Sequence, residues 1–290
     1  MPYRILEARP LGPTLTRLVV EAPLVARKRQ AGHFVIVRLD ETGERIPLTI
    51  VDSDGDTITL IVQAVGKTTR VLAARRAGEA IADVVGPLGN PTPIESWGDV
   101  ACVGGGVGVA ELLPIAVALR RGGNRVHAIL GGRTRELVIL EAEMAACSDS
   151  LAVTTDDGSY RRKGLVTDAL ADLLAERPVA AVYAIGPLPM MRAVAELTRP
   201  RGLRTYASLN AIMVDGTGMC GGCRVSVGGE MKFACVDGPE FDAHLVDFGE
   251  LMRRNRTYLE LERLADARPG AGRCEAKEVH GIPEPAQAAG

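Results

Sequence analysis

Between residues 1 and 95 the apolar positions come in short alternating or β-branched runs: Thr14 to Glu21, His33 to Leu39, Ile46 to Val51 and Thr57 to Gln63. Gly and Asp clusters such as Asp52-Ser-Asp-Gly-Asp56 punctuate them. Period-two alternation marks strands with a buried face, and several short strands at close spacing predict a small antiparallel β-barrel. Only Lys67 to Arg76 reads as helical in this part. From residue 96 to 205 the rhythm changes to strand, helix, strand. The runs are Val100 to Val103, Val109 to Arg121, Val126 to Leu130, Leu137 to Ala146, Leu151 to Thr155, Leu165 to Ala175 and Val179 to Ile185. Alternating βα units predict a parallel sheet covered by helices on both faces. Residues 206–265 form a third segment, a cysteine cluster followed by a helical stretch from Phe248 to Leu264. The tail, 266–290, is rich in Pro, Ala, Gly and charge and reads as disordered. No internal repeat is visible.

Composition narrows the classes. Over 290 residues, 34 Lys+Arg face 36 Asp+Glu, a formal charge of -2. No basic run offers the electrostatic footprint that nucleic acid needs. The most apolar stretch, Val100 to Leu119, carries Glu111, Pro114 and four glycines in a five-residue block, which makes it a poor membrane span. The N-terminus lacks the basic, apolar and small-residue layout of a secretory signal, so the expected location is the cytoplasm. Six cysteines, at 102, 147, 220, 223, 235 and 274, are too few and too clustered for a disulfide scaffold.

The glycine block Gly104-Gly105-Gly106-Val107-Gly108 follows a predicted strand and opens a predicted helix. Glycines let backbone approach a pyrophosphate, and a helix N-terminus supplies free N–H groups and partial positive charge, as in a Rossmann-like domain. A tight strand-to-helix crossing needs glycine too, and Val109 stands where the last glycine of G-x-G-x-x-G belongs. The next strand ends in Gly131-Gly-Arg133-Thr134-Arg135 rather than an acid. Arginines there meet a 2′-phosphate or are simply solvated, so the choice between NAD(H) and NADP(H) stays open.

Cys220-x2-Cys223, followed by Cys235, is compatible with a zinc site, a redox pair or an iron–sulfur site. Plant-type [2Fe–2S] centres use C-x4-C-x2-C, and Asp215 occupies the first position of that spacing here. Asp215 is the candidate fourth ligand, against the alternative of a turn former at an Asp-Gly step. Cys102 and Cys147 read as small buried hydrophobes.

Taken together, these motifs resemble the ferredoxin–NADP reductase-like flavoproteins, from about Tyr3 to about Leu264. Two groups within them are similar: the electron-transfer subunit of type B dihydroorotate dehydrogenase, and the small subunit of electron-bifurcating NADH-dependent ferredoxin:NADP oxidoreductase, also called a sulfide dehydrogenase subunit. The resemblance implies an FAD-binding barrel over 1–95, a NAD(P)-binding α/β domain over 96–205 and a [2Fe–2S] module over 206–265. Pro47-Leu48-Thr49 looks like the flavin-side motif, with Leu48 where many relatives carry tyrosine. Arg45 lies one place before the usual arginine position, which Ile46 holds. On a strand, that shift turns a side chain to the opposite face. Ile61-Val62-Gln63 and Gly66-Lys67-Thr68-Thr69 match the next flavin-contacting strand and turn, and Gly86-Pro-Leu-Gly89 matches the link between domains. Gly104 to Gly108, Asp156, and Gly186, Pro187 and Met190 align with nucleotide-contacting loops, and Arg133 and Thr134 join the same candidates. Ile185 replaces a cysteine common in relatives.

No side chain is assigned as catalytic, because the resemblance implies cofactor-based hydride and electron transfer. Asp215, Cys220, Cys223 and Cys235 are the implied metal ligands, and the V-D-G-T-G-M-C-G-G-C setting is similar to the ferredoxin:NADP group. The expected partner is a larger iron–sulfur flavoprotein related to the glutamate synthase small subunit, with ferredoxin as a further one. The alternatives are the dihydroorotate dehydrogenase electron-transfer subunit of pyrimidine biosynthesis and a zinc-stabilised nucleotide-binding regulator.

Overall fold

A computed structural model describes residues 2–267. The expected tail beyond residue 267, with Cys274, lies outside the described residues. In chain order the first part comprises β1 (Tyr3–Gly12), β2 (Leu15–Glu21), α1 (Pro23–Ala26), β3 (Phe34–Arg38), β4 (Arg45–Thr49), β5 (Asp52–Asp54), β6 (Thr57–Gln63), α2 (Lys67–Ala73), β7 (Ala80–Ile81) and β8 (Asp83–Leu88). Two antiparallel sheets, β5-β6-β2-β1-β7 and β4-β3-β8, close on one core. Alternation fixes which residues fill it: Ile58, Leu60 and Val62 of β6 meet Leu18, Val20, Val35 and Val37 there. Each such side chain contributes about 1.5–3 kcal/mol by leaving water. Two expectations are corrected. Helix α1 accompanies the one anticipated helix, starting at a proline whose fixed φ suits a first turn. Strand β1 was hidden because bulges at Ile5/Glu7 and Pro10/Gly12 break its alternation.

The second part comprises β9 (Asp99–Gly105), α3 (Gly108–Arg121), β10 (Arg125–Gly132), α4 (Glu141–Ala146), β11 (Ser150–Thr155), β12 (Arg162–Lys163), α5 (Val166–Glu176), β13 (Ala181–Ile185), α6 (Leu188–Thr198) and β14 (Arg204–Ser208). Here α4 is shorter than the anticipated 137–146 run, because Leu140 precedes it in the left-handed region at φ 56. Helix α6 was not anticipated at all. The segment with Gly186, Pro187 and Met190 aligns with a nucleotide-contacting loop, yet Pro187 and Pro189 start a helix whose Leu188, Met191, Val194 and Ala195 are buried.

The last part holds β15 (Arg224–Val227), β16 (Glu230–Phe233), β17 (Glu240–Asp242), α7 (Phe248–Asn255) and α8 (Leu259–Ala267). The expected single helix over 248–264 is therefore two. The seven-stranded sheet runs β12-β11-β10-β9-β13-β14-β17. Its six strands from β9 to β14 are parallel, and β17 adds an antiparallel edge, with Ser208 opposite Glu240. The third segment is thus stitched into the α/β sheet. It also packs on the β-domain: a Cβ at Gly216 would lie 2.7 Å from Leu88 Cδ1 and 2.8 Å from Ile36 Cγ1. Among the described residues no helix is long and apolar enough to cross a membrane.

Candidate cofactor site

A cavity of about 1010 Å³ opens between the β-domain and the α/β domain. One wall is Pro47, Leu48 and Thr49 of β4 with Ile61 and Gln63 of β6; the other is Gly105 to Gly108, Arg133, Asp156, Gly186, Pro187 and Met190. Its size suits a large organic cofactor. Strand β6 shows why alternate residues differ: Ile61 and Gln63 reach the cavity, whereas Val62 is fully buried in the β-core.

The glycine loop is shaped by two demands. A Cβ on Gly104 would press on Val109 and Leu112 at 2.9 and 3.0 Å, so that glycine serves the packing of α3 on β9. Gly106 has φ +56 and nothing within 4 Å of an added Cβ, so its backbone faces open cavity. No side chain caps the N-terminus of α3. The arrangement presents backbone and a helix start to an anionic group, as nucleotide phosphates require.

Several expected residues stand outside the cavity lining. Arg45 is exposed on β4. In the turn before α2, Thr69 Oγ1 accepts from Gly66 N–H at 2.9 Å and Thr68 Oγ1 donates to Glu44, so both side chains secure the helix start. Lys67 opens that helix outside the lining. Thr134 Oγ1 donates to Glu136 at 2.6 Å. Conversely, Glu111, Ser208 and Asn210 line the cavity and were not anticipated. Glu111 carried no signal, because an acid in the first turn of a helix is the ordinary complement of its positive end.

The cysteine loop lies over residues 213–235. Cys223 and Cys235 are buried with their sulfurs 3.2 Å apart, and exposed Cys220 Sγ donates to Asp215 Oδ1 at 3.3 Å. Burial, with the neighbouring Cys223 thiol, pushes Cys235 up to about 12, so this thiol keeps its proton until a cation replaces it. Among the described residues no three His, Cys, Asp or Glu donors gather on one point. The four donors stand as two pairs, which suits a two-iron unit taking two protein ligands per iron. Asp215 also shapes the loop, accepting N–H bonds from Thr217 and Cys220 at 3.1 Å each. The Thr217 bond and its neighbours hold this carboxyl below its usual range. Gly216, Gly218 and Gly221 all have positive φ, a conformation that glycine adopts without steric cost. Cys102 in β9 and Cys147 after α4 are buried away from the loop.

Comparisons with known proteins agree with this geometry. Residues 210–247 match the iron–sulfur cluster binding domain of dihydroorotate dehydrogenase B. A homolog of the dihydroorotate dehydrogenase B (NAD(+)) electron transfer subunit from Thermotoga maritima is 48% identical over 248 residues, 85% of this chain and 88% of that protein. The electron transfer subunit from Bacillus caldolyticus is 38% identical over 237 residues, 78% of this chain and 90% of its own. Among solved structures, a chain of NADH-dependent reduced ferredoxin-NADP oxidoreductase, studied for flavin-based electron bifurcation, has a TM-score of 0.87. It is 45% identical, and the match covers 91% of this chain and 96% of that one. On this sequence identity over most of its length, the chain belongs to the family of dihydroorotate dehydrogenase B electron transfer subunits and their homologues.

Proposed function

We propose that this chain is the electron-transfer subunit of an oxidoreductase, moving electrons between NAD(P)H, FAD and a [2Fe–2S] cluster and on to a partner flavoprotein in a ferredoxin:NAD(P) oxidoreductase complex. The observation that carries the reading is the single cavity shared by the β4–β6 wall and the glycine loop, in a chain whose cysteine loop packs against the same β-domain. Bound FAD supplies the conversion between two-electron hydride and one-electron transfer, which nicotinamide and an iron–sulfur cluster need between them.

The chain's own residues position and insulate. Pro47, Leu48, Thr49, Ile61 and Gln63 form a wall for a flat ring, and the backbone of Gly105 to Gly108 receives phosphates. Gly216, against Ile36 and Leu88, brings the Asp215 end of the cysteine loop onto strands β3 and β8. Cys220, Cys223, Cys235 and Asp215 would hold the cluster. Met219, Val214 and Val236 are exposed beside these ligands, at 88%, 47% and 41%. Apolar side chains around an exposed ligand suit a docking partner. That partner is a catalytic subunit, in our reading a larger iron–sulfur flavoprotein related to the glutamate synthase small subunit, with ferredoxin as a further one.

The name of the domain matched over residues 210–247 supports a second reading, the electron-transfer subunit of dihydroorotate dehydrogenase. Asp215 in place of a first cysteine favours the former. Anaerobic titration with NADH and NADPH tests the electron route: flavin absorbance bleaches and a reduced-cluster EPR signal follows. Absence of flavin, or bleaching with no paramagnetic cluster, contradicts it. Identification of the chain that co-purifies from the native host separates the two complexes.

A further inference from the structure

Two carboxyl groups flank Ser208, one of them lining the cavity, where the three parts of the chain converge. Glu111 comes from the first turn of α3 and lines the cavity. Ser208 ends β14, and its Oγ donates to Glu111 Oε1. Glu240 begins β17 as the register partner of Ser208, so the two side chains share one face of the sheet. Glu240 Oε1 is buried and has no hydrogen-bond partner. Gly32 closes the far side, since a Cβ there would stand 3.1 Å from Glu240 Oε2 and 2.3 Å from Thr92 Oγ1.

A hydroxyl has one hydrogen to donate and lone pairs to accept with. Ser208 spends its one hydrogen on Glu111, so the buried, unpartnered oxygen of Glu240 on the same sheet face gains a bond only by donating, which requires a proton on Glu240. We propose that Glu111, Ser208 and Glu240 form a one-proton relay that takes up a second proton when hydride enters the cavity. The proposal rests on the flavin reading above. A hydride carries two electrons and one proton, hence one negative charge, from the nicotinamide to its acceptor within the cavity. Glu111 lines that cavity and holds the relay's negative charge. The hydride donor is oxidised to a cation that leaves the cavity, the acceptor is reduced and keeps the added negative charge, and the relay passes from one bound proton to two by uptake from solvent, so the charge left in the cavity is unchanged. Two nearby like charges in a low dielectric cannot both remain ionised cheaply, and a third favours protonation.

The protonation balance of the pair is consistent with this. Burial raises Glu240 to about 8, with the charge of Glu111 as the next cause, and burial also raises Glu111. Near neutral pH Glu240 therefore carries a proton, while Glu111 accepts the Ser208 hydrogen and faces the cavity. The groups acting on the pair are Thr49 from β4, Ser208 from β14, Thr92 from the segment after β8, and the two carboxyls themselves.

The test uses the holoprotein, reduced anaerobically in weak buffer by the nicotinamide that bleaches it, with an indicator dye counting protons. The wild type is expected to take up about one more proton per flavin than Glu111→Gln/Glu240→Gln. Ser208→Ala, which leaves both carboxyls in place, is expected to lower the uptake as well. A second readout is the pH-difference infrared spectrum of the oxidised protein. It should show a protonated carboxyl band that titrates near pH 8 and is missing in Glu240→Gln. Equal proton uptake in wild type and variants, or no such band in the wild type, overturns the relay. A protein that shows the band but holds no reducible flavin instead contradicts the flavin reading and the uptake step that depends on it.

Discussion

A methyl group placed on Gly108 tests whether the glycine loop is held by close packing. Gly108 begins α3, directly against the turn after β13, and an added Cβ would lie 2.6 Å from Ile185 O, 2.8 Å from Gly186 Cα and 2.8 Å from Ile185 C. All three are backbone atoms, so no side chain can swing aside. Ordinary contact begins at 3.4 Å, which requires the helix start and the turn to separate by about 0.8 Å. Overpacking of this kind costs about 1–3 kcal/mol, and the better helix propensity of alanine returns up to about 1 kcal/mol. The net expectation for Gly108→Ala is a loss of about 1–2 kcal/mol in urea unfolding. Because both displaced segments wall the cavity, nicotinamide nucleotide affinity should also fall, by about tenfold for a loss near 1.4 kcal/mol. Gly105→Ala is the control. Its Cβ meets Met190 Sδ at 2.5 Å, the end of a flexible side chain, and Pro187 Cδ at 3.1 Å, so its stability cost should be smaller. A Gly108→Ala protein as stable as the wild type, or more stable than Gly105→Ala, would refute the packing argument.

Three further outcomes are expected. Asp99, the first residue of β9, accepts from Arg125 Nε at 2.9 Å and is bonded to the buried His127 Nε2 at 2.8 Å. Arg125 and His127 hold its carboxyl well below the usual range, so its stabilisation is present above the unfolded value near pH 4 and is lost as pH falls below it. Asp99→Asn should cost about 1–3 kcal/mol in urea unfolding at pH 7, a gap that narrows in acid; a constant gap would contradict the linkage. Arg45→Ala should retain FAD with unchanged affinity by fluorescence titration, because Arg45 is exposed and outside the cavity lining; loss of FAD would show that the side chain reaches the cofactor. Asp215→Cys should shift the cluster's midpoint potential and EPR signal by exchanging a hard oxygen for a soft thiolate; if neither moves, Asp215 is not a ligand.

What the sequence made legible depended on locality. Strand β6 over Thr57–Gln63 and helix α3 carry their periodicity and glycine loop within a few residues, so their extents and the glycine turn that lines the cavity could be read directly. The spacing from Asp215 to Cys223 is local too, and the loop brings those donors and Cys235 together as two pairs. The relay was illegible because Ser208 and Glu240 are joined only by the antiparallel pairing of β14 with β17. Nothing in the local pattern announces an edge strand of three residues. Which of the flavin-side residues line the cavity was also hidden. Val62 and Ile61 have similar hydrophobicity, and only the sheet's orientation sends one into the β-core and the other to the cavity. In the turn before α2, Thr68 and Thr69 carry polar groups suited to a phosphate, yet hydrogen bonds to Glu44 and to the turn's own backbone engage them.

The account's central claim is that one chain joins a flavin cavity to a two-iron centre. Visible absorption with iron, sulfide, zinc and flavin analysis on the purified, anaerobically handled protein tests it most directly. The account predicts a yellow-brown protein with about two irons and about one FAD per chain; a colourless protein holding zinc and no flavin would contradict it.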